Sequence, residues 1–171
     1  MKTQQIDSKG KGPVGEARLN SWFHENGINY LSVNQQPDTF AHNFYDYVKR
    51  PDFLVLHESL GMIAVDAKNC TQSNGFFTLT QDEVKRALAF EMLARLPFWF
   101  LFLHESEGVT TWFWISSLRA LESGLVRTNQ KTKAKFLAIS MSEFVRVQTY
   151  EDIGKLHNYR LRCLGRIFDK L

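Results

Sequence analysis

Cysteine is scarce. Cys70 and Cys163 are the two in 171 residues, too few for a disulfide framework and not at zinc-site spacing. Long apolar runs are missing as well. The longest, Leu96 to Leu103, falls far short of the roughly 20 residues that a helix needs to span a bilayer, so no membrane partner is expected. The first sixteen residues are polar and hold no apolar segment of the kind found in a secretion signal. A cytoplasmic protein with two reduced thiols is therefore expected. The five histidines, His24, His42, His57, His104 and His157, share no spacing, so none is nominated as a metal ligand. There is no internal repeat and no low-complexity tract. What remains is the composition of an ordinary soluble globular chain, long enough for one domain with a normal core.

Charge of one sign is also limited, since the formal net charge is only +3, but its distribution is uneven. From Arg127 to the end, ten lysines and arginines stand against four acids; up to Val126, eleven stand against fourteen. A basic segment beside an acidic remainder suggests a polyanionic partner. Arg127, Lys131, Lys133 and Lys135 lie in a polar stretch without an acid and are the candidate phosphate contacts, the alternative being a solvated face. Arg18, Lys49, Arg50 and Lys85 are further candidates for contact with nucleic acid.

The stretch that organises the rest runs from Arg50 to Asn69. Phe53-Leu54-Val55-Leu56 and Met62-Ile63-Ala64-Val65 are short apolar strands joined by a polar turn containing Gly61, which predicts a hairpin. Centred on Ser59, it pairs Leu56 with Met62 and Leu54 with Ala64, and sets Asp52 opposite Asp66. Opposed side chains on one face lie about 4.5–5.5 Å apart at Cβ, where like charges are destabilising. Two carboxylates there call for a cation between them or a shared proton. Lys68, two residues beyond Asp66, falls on the same strand face.

Around this hairpin the chain predicts the order α-β-β-β-α-β-β with a basic tail. A polar arm over residues 1–11 and a lead-in Gly12-Pro13-Val14-Gly15 precede a helix with Leu19, Trp22, Phe23 and Asn26 on one face. Gly27 stands at its C-terminal left-handed position, and Ile28 to Val33 is a first strand. A polar loop from Asn34 to Tyr47 leads to Lys49-Arg50. After the hairpin, Asn69 to Gly75 is a polar loop and Thr80-Gln81-Asp82-Glu83 is a capping box. The helix that it opens has Val84, Leu88, Met92 and Leu96 on its apolar face, and Pro97 marks its end. Phe98 to Leu103 is apolar on both faces, as a sheet strand covered by helices should be. Val109 to Ile115 is another strand; Trp112 and Trp114 share one face, suited to the core or to base stacking. A short helix over 116–123, a basic loop over 127–135, a strand Phe136–Ile139 and helical spacing from Tyr150 complete the chain. The expected organisation is a flexible basic arm (1–11), a core (12–116) and a basic extension packed on the same domain (117–171).

The combination resembles the PD-(D/E)xK, or restriction-endonuclease-like, nuclease superfamily. Pro51-Asp52, then Asp66-Ala67-Lys68 at the end of the next strand, looks like its signature, and residues 15–115 match its αβββαβ core. Glu16 matches the acidic residue that many members carry on the first helix, and Gln81 a polar position near the site. Lys85 stands where the Gln-xxx-Tyr branch has tyrosine, and the compact core looks more like Holliday-junction resolvases and small endonucleases. The resemblance implies an α/β fold with a central mixed sheet flanked by helices. It also implies a Mg²⁺-dependent nuclease, with Mn²⁺ as a substitute, acting on nucleic acid, with DNA as the first expectation. Asp52, Asp66, the Ala67 carbonyl and Glu16 would be metal ligands, and Asp52, Asp66, Lys68, Glu16 and Gln81 the catalytic set. Products would carry 5′-phosphate and 3′-hydroxyl ends. A homodimer, or a subunit of a DNA-processing complex, fits that implication. The alternative is a non-catalytic nucleic-acid-binding or assembly subunit that keeps the fold.

Overall fold

Phe98 to Leu103 offers no polar face, so both of its sides must be covered. A computed structural model, which describes residues 11–39, 41, 44, 46–70, 72–106, 109–159, shows how. The elements in order are α1 (Lys11–Glu25), β1 (Asn29–Ser32), β2 (Phe53–His57), β3 (Gly61–Lys68), β4 (Phe76–Thr80), α2 (Gln81–Ala94), β5 (Phe98–Ser106), β6 (Val109–Ser116), α3 (Ser117–Ser123), β7 (Leu125–Thr128), β8 (Lys135–Ser140), β9 (Val145–Val147) and α4 (Tyr150–Ile153). Six strands form one sheet in the order β1-β2-β3-β5-β6-β9, and three form another, β4-β8-β7. In the larger sheet β5 runs parallel to β3 and the other pairs are antiparallel. This is the mixed sheet expected from the element order, with β5 inside it.

Two cores lie on the two faces. On one face Leu19, Trp22 and Phe23 of α1 pack with Phe53, Val55, Ile63, Val65, Trp99 and Leu101. On the other, Val84 and Ala87 of α2 and Ala120 of α3 pack with Ala64, Phe98, Phe100, Phe102 and the second sheet's Phe77, Leu79, Leu137 and Ile139. Alternation along β3 therefore sends Ile63 and Val65 to the α1 face and Ala64 and Asp66 to the α2 face. Trp112 and Trp114 are fully buried in the α1-face core, so they are packing residues and not base platforms.

Several expectations are corrected. α1 begins at Lys11, within the expected arm, so Glu16 is not in its first turn; a proline at position 13 is tolerated because first-turn amides have no intrahelical acceptor. Phe76–Thr80 is a strand, and Leu125–Thr128 is another, whose last two residues fall in the expected basic loop over 127–135. Each takes its pairing from β8, a partner distant in sequence from β4. β9, also unexpected, caps the larger sheet by pairing with β6. Met92, assigned to the apolar face of α2, is exposed. The expected arm over residues 1–10 and the basic positions from Arg160 onward lie outside the described residues. Among the described residues, no helix is long and apolar enough to cross a membrane.

Candidate active site

The hairpin has the expected register. Leu56 opposes Met62, Leu54 opposes Ala64, and the ladder ends at Phe53 and Val65, one step short of Asp52 and Asp66. The main chain of Asp52 is fixed on both sides: its amide donates to the Val65 carbonyl and its carbonyl accepts from the Val33 amide, each at 2.9 Å. Gln35 Nε2 donates to the Pro51 carbonyl at 2.9 Å. So anchored, the Asp52 carboxylate reaches across the hairpin, where Oδ2 accepts the Ala67 amide at 2.7 Å.

Asp66 is buried and sits between two ammonium groups. Lys49 Nζ lies 2.9 Å from Oδ1 and Lys68 Nζ lies 2.8 Å from Oδ2. Although close, Lys68 gives Oδ2 no aligned hydrogen bond. The ammonium of Lys68 is drawn also to Glu83, with Nζ donating to Oε1 at 2.6 Å. Glu83 is held in turn by the capping box: its Oε2 accepts from the Thr80 amide at 3.0 Å and hydroxyl at 2.9 Å, while its own amide donates to Thr80 Oγ1. One carboxylate thus caps α2 with one oxygen and fixes Lys68 with the other. The cation that the opposed aspartates call for is supplied, within this chain, by lysines.

The electrostatics follow from this crowding. Burial, then the charge of Asp66, pushes Asp52 up to about 7 against the pull of the Ala67 amide; Glu16 adds to the rise and Lys49 opposes it. Glu16 is raised by burial and by Asp66, with Lys49 again opposing. Burial pulls Lys68 down, but Asp66 and Glu83 outweigh it and hold the ammonium above its ordinary value. Glu83 would be raised by burial, yet Lys68 and Thr80 bring it down to about 2.

Among the residues nominated from sequence, then, Glu16, Asp52, Asp66, Ala67 and Lys68 are brought together. Gln81 opens α2 but, among the described residues, makes no hydrogen bond to this cluster; Glu83, two residues on, takes the contact with Lys68. Lys49, nominated for nucleic acid, is in the cluster on Asp66. Arg50 is turned to its own loop, donating to the carbonyls of Asn34 and Gln36 at 2.9 Å. Arg18 pairs with Glu105 at 2.6 Å and lines a cavity of about 580 Å³ with Trp22 and Leu103, on the α1 face. Lys85, Lys131, Lys133 and Lys135 are exposed, and Arg127 lies 5.3 Å over the Phe76 ring. The last four belong to the β7–β8 hairpin, whose sheet packs on the α2 face, the face that carries Asp66 and Lys68.

Glu16 reaches the site because α1 comes very close to the end of β3. A Cβ on Gly15 would lie 3.0 Å from Asn69 Cβ, so helix and strand meet where only hydrogen fits without movement. Gly15→Val is accordingly expected to destabilise the protein by about 1–3 kcal/mol, as overpacking does. It would also separate Glu16 from Asp66. Urea denaturation measures the first effect, and an unchanged midpoint would refute the close-packing argument.

Neither a family model nor a curated protein matches the chain. Solved structures are similar, two nucleases among them. Hjc of Archaeoglobus fulgidus, a Holliday junction resolvase from an archaeal hyperthermophile, matches at 14% identity over 85% of this chain and 96% of its own, with TM-score 0.52. D212, a nuclease from a fusselovirus, matches at 13% identity over 90% of this chain and 93% of its own, with TM-score 0.46. The likeness to Hjc, nearly complete in both chains, shows the fold: a restriction-endonuclease-like sheet with helices on both faces.

Proposed function

We propose that this chain is a Mg²⁺-dependent nuclease that hydrolyses phosphodiester bonds, with DNA as its substrate. The observation that carries the reading is the approach of Asp52 and Asp66 at one end of the hairpin, with the Lys68 ammonium 2.8 Å from Asp66 and Glu16 near enough to feel the charge of both aspartates. Asp52 and Glu16 are each pushed up first by burial and then by the charge of Asp66, so a further cation among these oxygens would be favoured. An oxygen-only donor set of this kind suits Mg²⁺, which binds through one or two carboxylates and keeps several waters. Asp52, Asp66 and the Ala67 carbonyl would hold it, with Glu16 contributing directly or through water. When bound, Mg²⁺ supplies charge neutralisation at the phosphoryl oxygens and a more acidic water.

The chain's own residues do the rest. Lys68 stays a cation, because its two carboxylate neighbours overcome the cost of burial. It therefore serves as a charge and hydrogen-bond donor towards the reacting phosphate, and not as a base. Glu83 sets its direction through a capping box that does not depend on the substrate. The β7–β8 hairpin places exposed Lys131, Lys133 and Lys135 on the same side of the sheet, suited to phosphates flanking the cut.

The test is cleavage of duplex, single-stranded and four-way-junction DNA, and of RNA, with Mg²⁺ or Mn²⁺. Asp66→Ala is expected to abolish cutting, and cleavage of the DNA substrates should exceed that of RNA. Full activity in both Asp66→Ala and Lys68→Ala would sink the assignment. Salt-sensitive binding without cleavage, in the presence of either metal, would favour the non-catalytic reading.

A further inference from the structure

We infer that Lys49 is an internal counter-ion of the carboxylate cluster, occupying the negative end of Asp66 until a divalent cation enters and displaces it. This rests on the proposed metal site and adds a residue that the signature does not contain.

The two lysines on Asp66 are not equivalent. Lys68 is shared by two acids, Asp66 and Glu83, the second bonded at 2.6 Å and itself fixed by Thr80. Lys49 has, among the described residues, Asp66 as its one ion-pair partner, at 2.9 Å, and its side chain is the more exposed of the two, 23% against 14%. Its main chain is nonetheless well held. The Lys49 amide donates to the Arg86 carbonyl at 3.0 Å, and Arg86 Nη2 donates to the Val48 carbonyl at 3.2 Å. Val48 before it is buried, as is Pro51 after it. A fixed backbone with a four-carbon stem and a single partner describes an ammonium that can leave Asp66 without disturbing the fold. Competition for one oxygen gives it reason to leave: Lys49 Nζ lies 2.9 Å from Asp66 Oδ1, where a metal held by Asp66 would also need to bind. A divalent ion among the same oxygens repels Lys49 and supplies more charge than it removes. An ion that must compete with Lys49 binds with its affinity reduced by the fraction of molecules in which Asp66 is free.

Calorimetric titration of the full chain with Mn²⁺, without nucleic acid, tests this against Lys49→Met and Asp66→Asn. Lys49→Met is expected to bind Mn²⁺ about tenfold more tightly than the wild type, and Asp66→Asn to bind far more weakly than both. Equal or weaker binding by Lys49→Met overturns the role of Lys49 and leaves the site reading standing. Binding that is indifferent to Asp66→Asn overturns the site itself. Should Lys49→Met fail to fold, amine labelling of the wild type read by mass spectrometry decides the matter. Mg²⁺ is expected to raise labelling of Lys49 several-fold while Lys68 stays protected; unchanged labelling of Lys49 refutes the displacement.

Discussion

Lys68→Met is expected to lower the rate of DNA cleavage by about a hundred- to a thousandfold, the usual consequence of removing one preorganised donor from developing charge. The ammonium lies 2.8 Å from Asp66 and 2.6 Å from Glu83, so its position is set before substrate arrives. The loss should fall on the chemical step and leave DNA affinity almost unchanged, because the remaining phosphate contacts are assigned under this proposal to exposed lysines elsewhere. Stability should suffer less than the about 3–5 kcal/mol seen when a buried charge loses its partner altogether. Asp66 retains Lys49 and Glu83 retains Thr80. Lys68→Arg should keep the ion pairs but not the rate, since a planar fork cannot put one compact charge between two carboxylates. Single-turnover kinetics and thermal melts separate the two effects; a loss of less than about tenfold in Lys68→Met would remove Lys68 from the proposed mechanism.

The second large effect is on stability. In an unfolded chain an aspartate titrates at about 4, whereas Asp52 in the fold is pushed up to about 7 by burial and then by Asp66. Between these values the folded protein holds a proton that the unfolded chain has lost. Stability of the metal-free protein therefore falls as pH rises from about 4 to about 7, by at most about 4 kcal/mol from this group. Glu16, also raised, acts with the same sign. Glu83, brought down to about 2, acts with the opposite sign: its stabilising contribution is lost as pH falls below about 5, so it opposes the trend at the acid end of this window and is constant above it. Asp52→Asn removes the ionisation and keeps an oxygen for the Ala67 amide. In chelator at pH 8 it is expected to be more stable than the wild type by a few kcal/mol, with the difference closing by pH 4, and to cut no DNA. Urea denaturation at both pH values measures this; a difference independent of pH would show that Asp52 does not titrate in this window. Added Mg²⁺ should stabilise the wild type at pH 8 and affect Asp52→Asn much less.

Both expectations depend on a hairpin legible from sequence, and on contacts that were not. Phe53–Leu56 and Met62–Val65 are apolar throughout, as strands covered on both faces should be, and the short polar turn between them marks where the chain folds back. Centring the pairing on that turn sets the register, and with it the approach of Asp52 to Asp66. The unbroken apolar strand Phe98–Leu103 likewise carries its own requirement for cover on both faces, and Thr80 with Glu83 forms the box that its spacing announces. In these segments local periodicity and burial point to one answer.

Other features have no local period to read. Lys49 lies in irregular chain before Pro51, and its arrival at Asp66 depends on Arg86 of α2 holding the main chain of Val48 and Lys49. Glu83 was visible as a cap, but the destination of its other oxygen is set by where β3 packs against the start of α2. The β4-β8-β7 sheet rests on pairs such as Phe77 with Ile139, residues too far apart in the chain for any short window to join. The sequence by itself determined the hairpin, the two-faced sheet strand and the capped helix, because each is dictated by side chains a few residues apart. Only the tertiary structure decided that Lys49 and Lys68 bracket Asp66, because that bracket needs α2, β3 and the chain before Pro51 to meet.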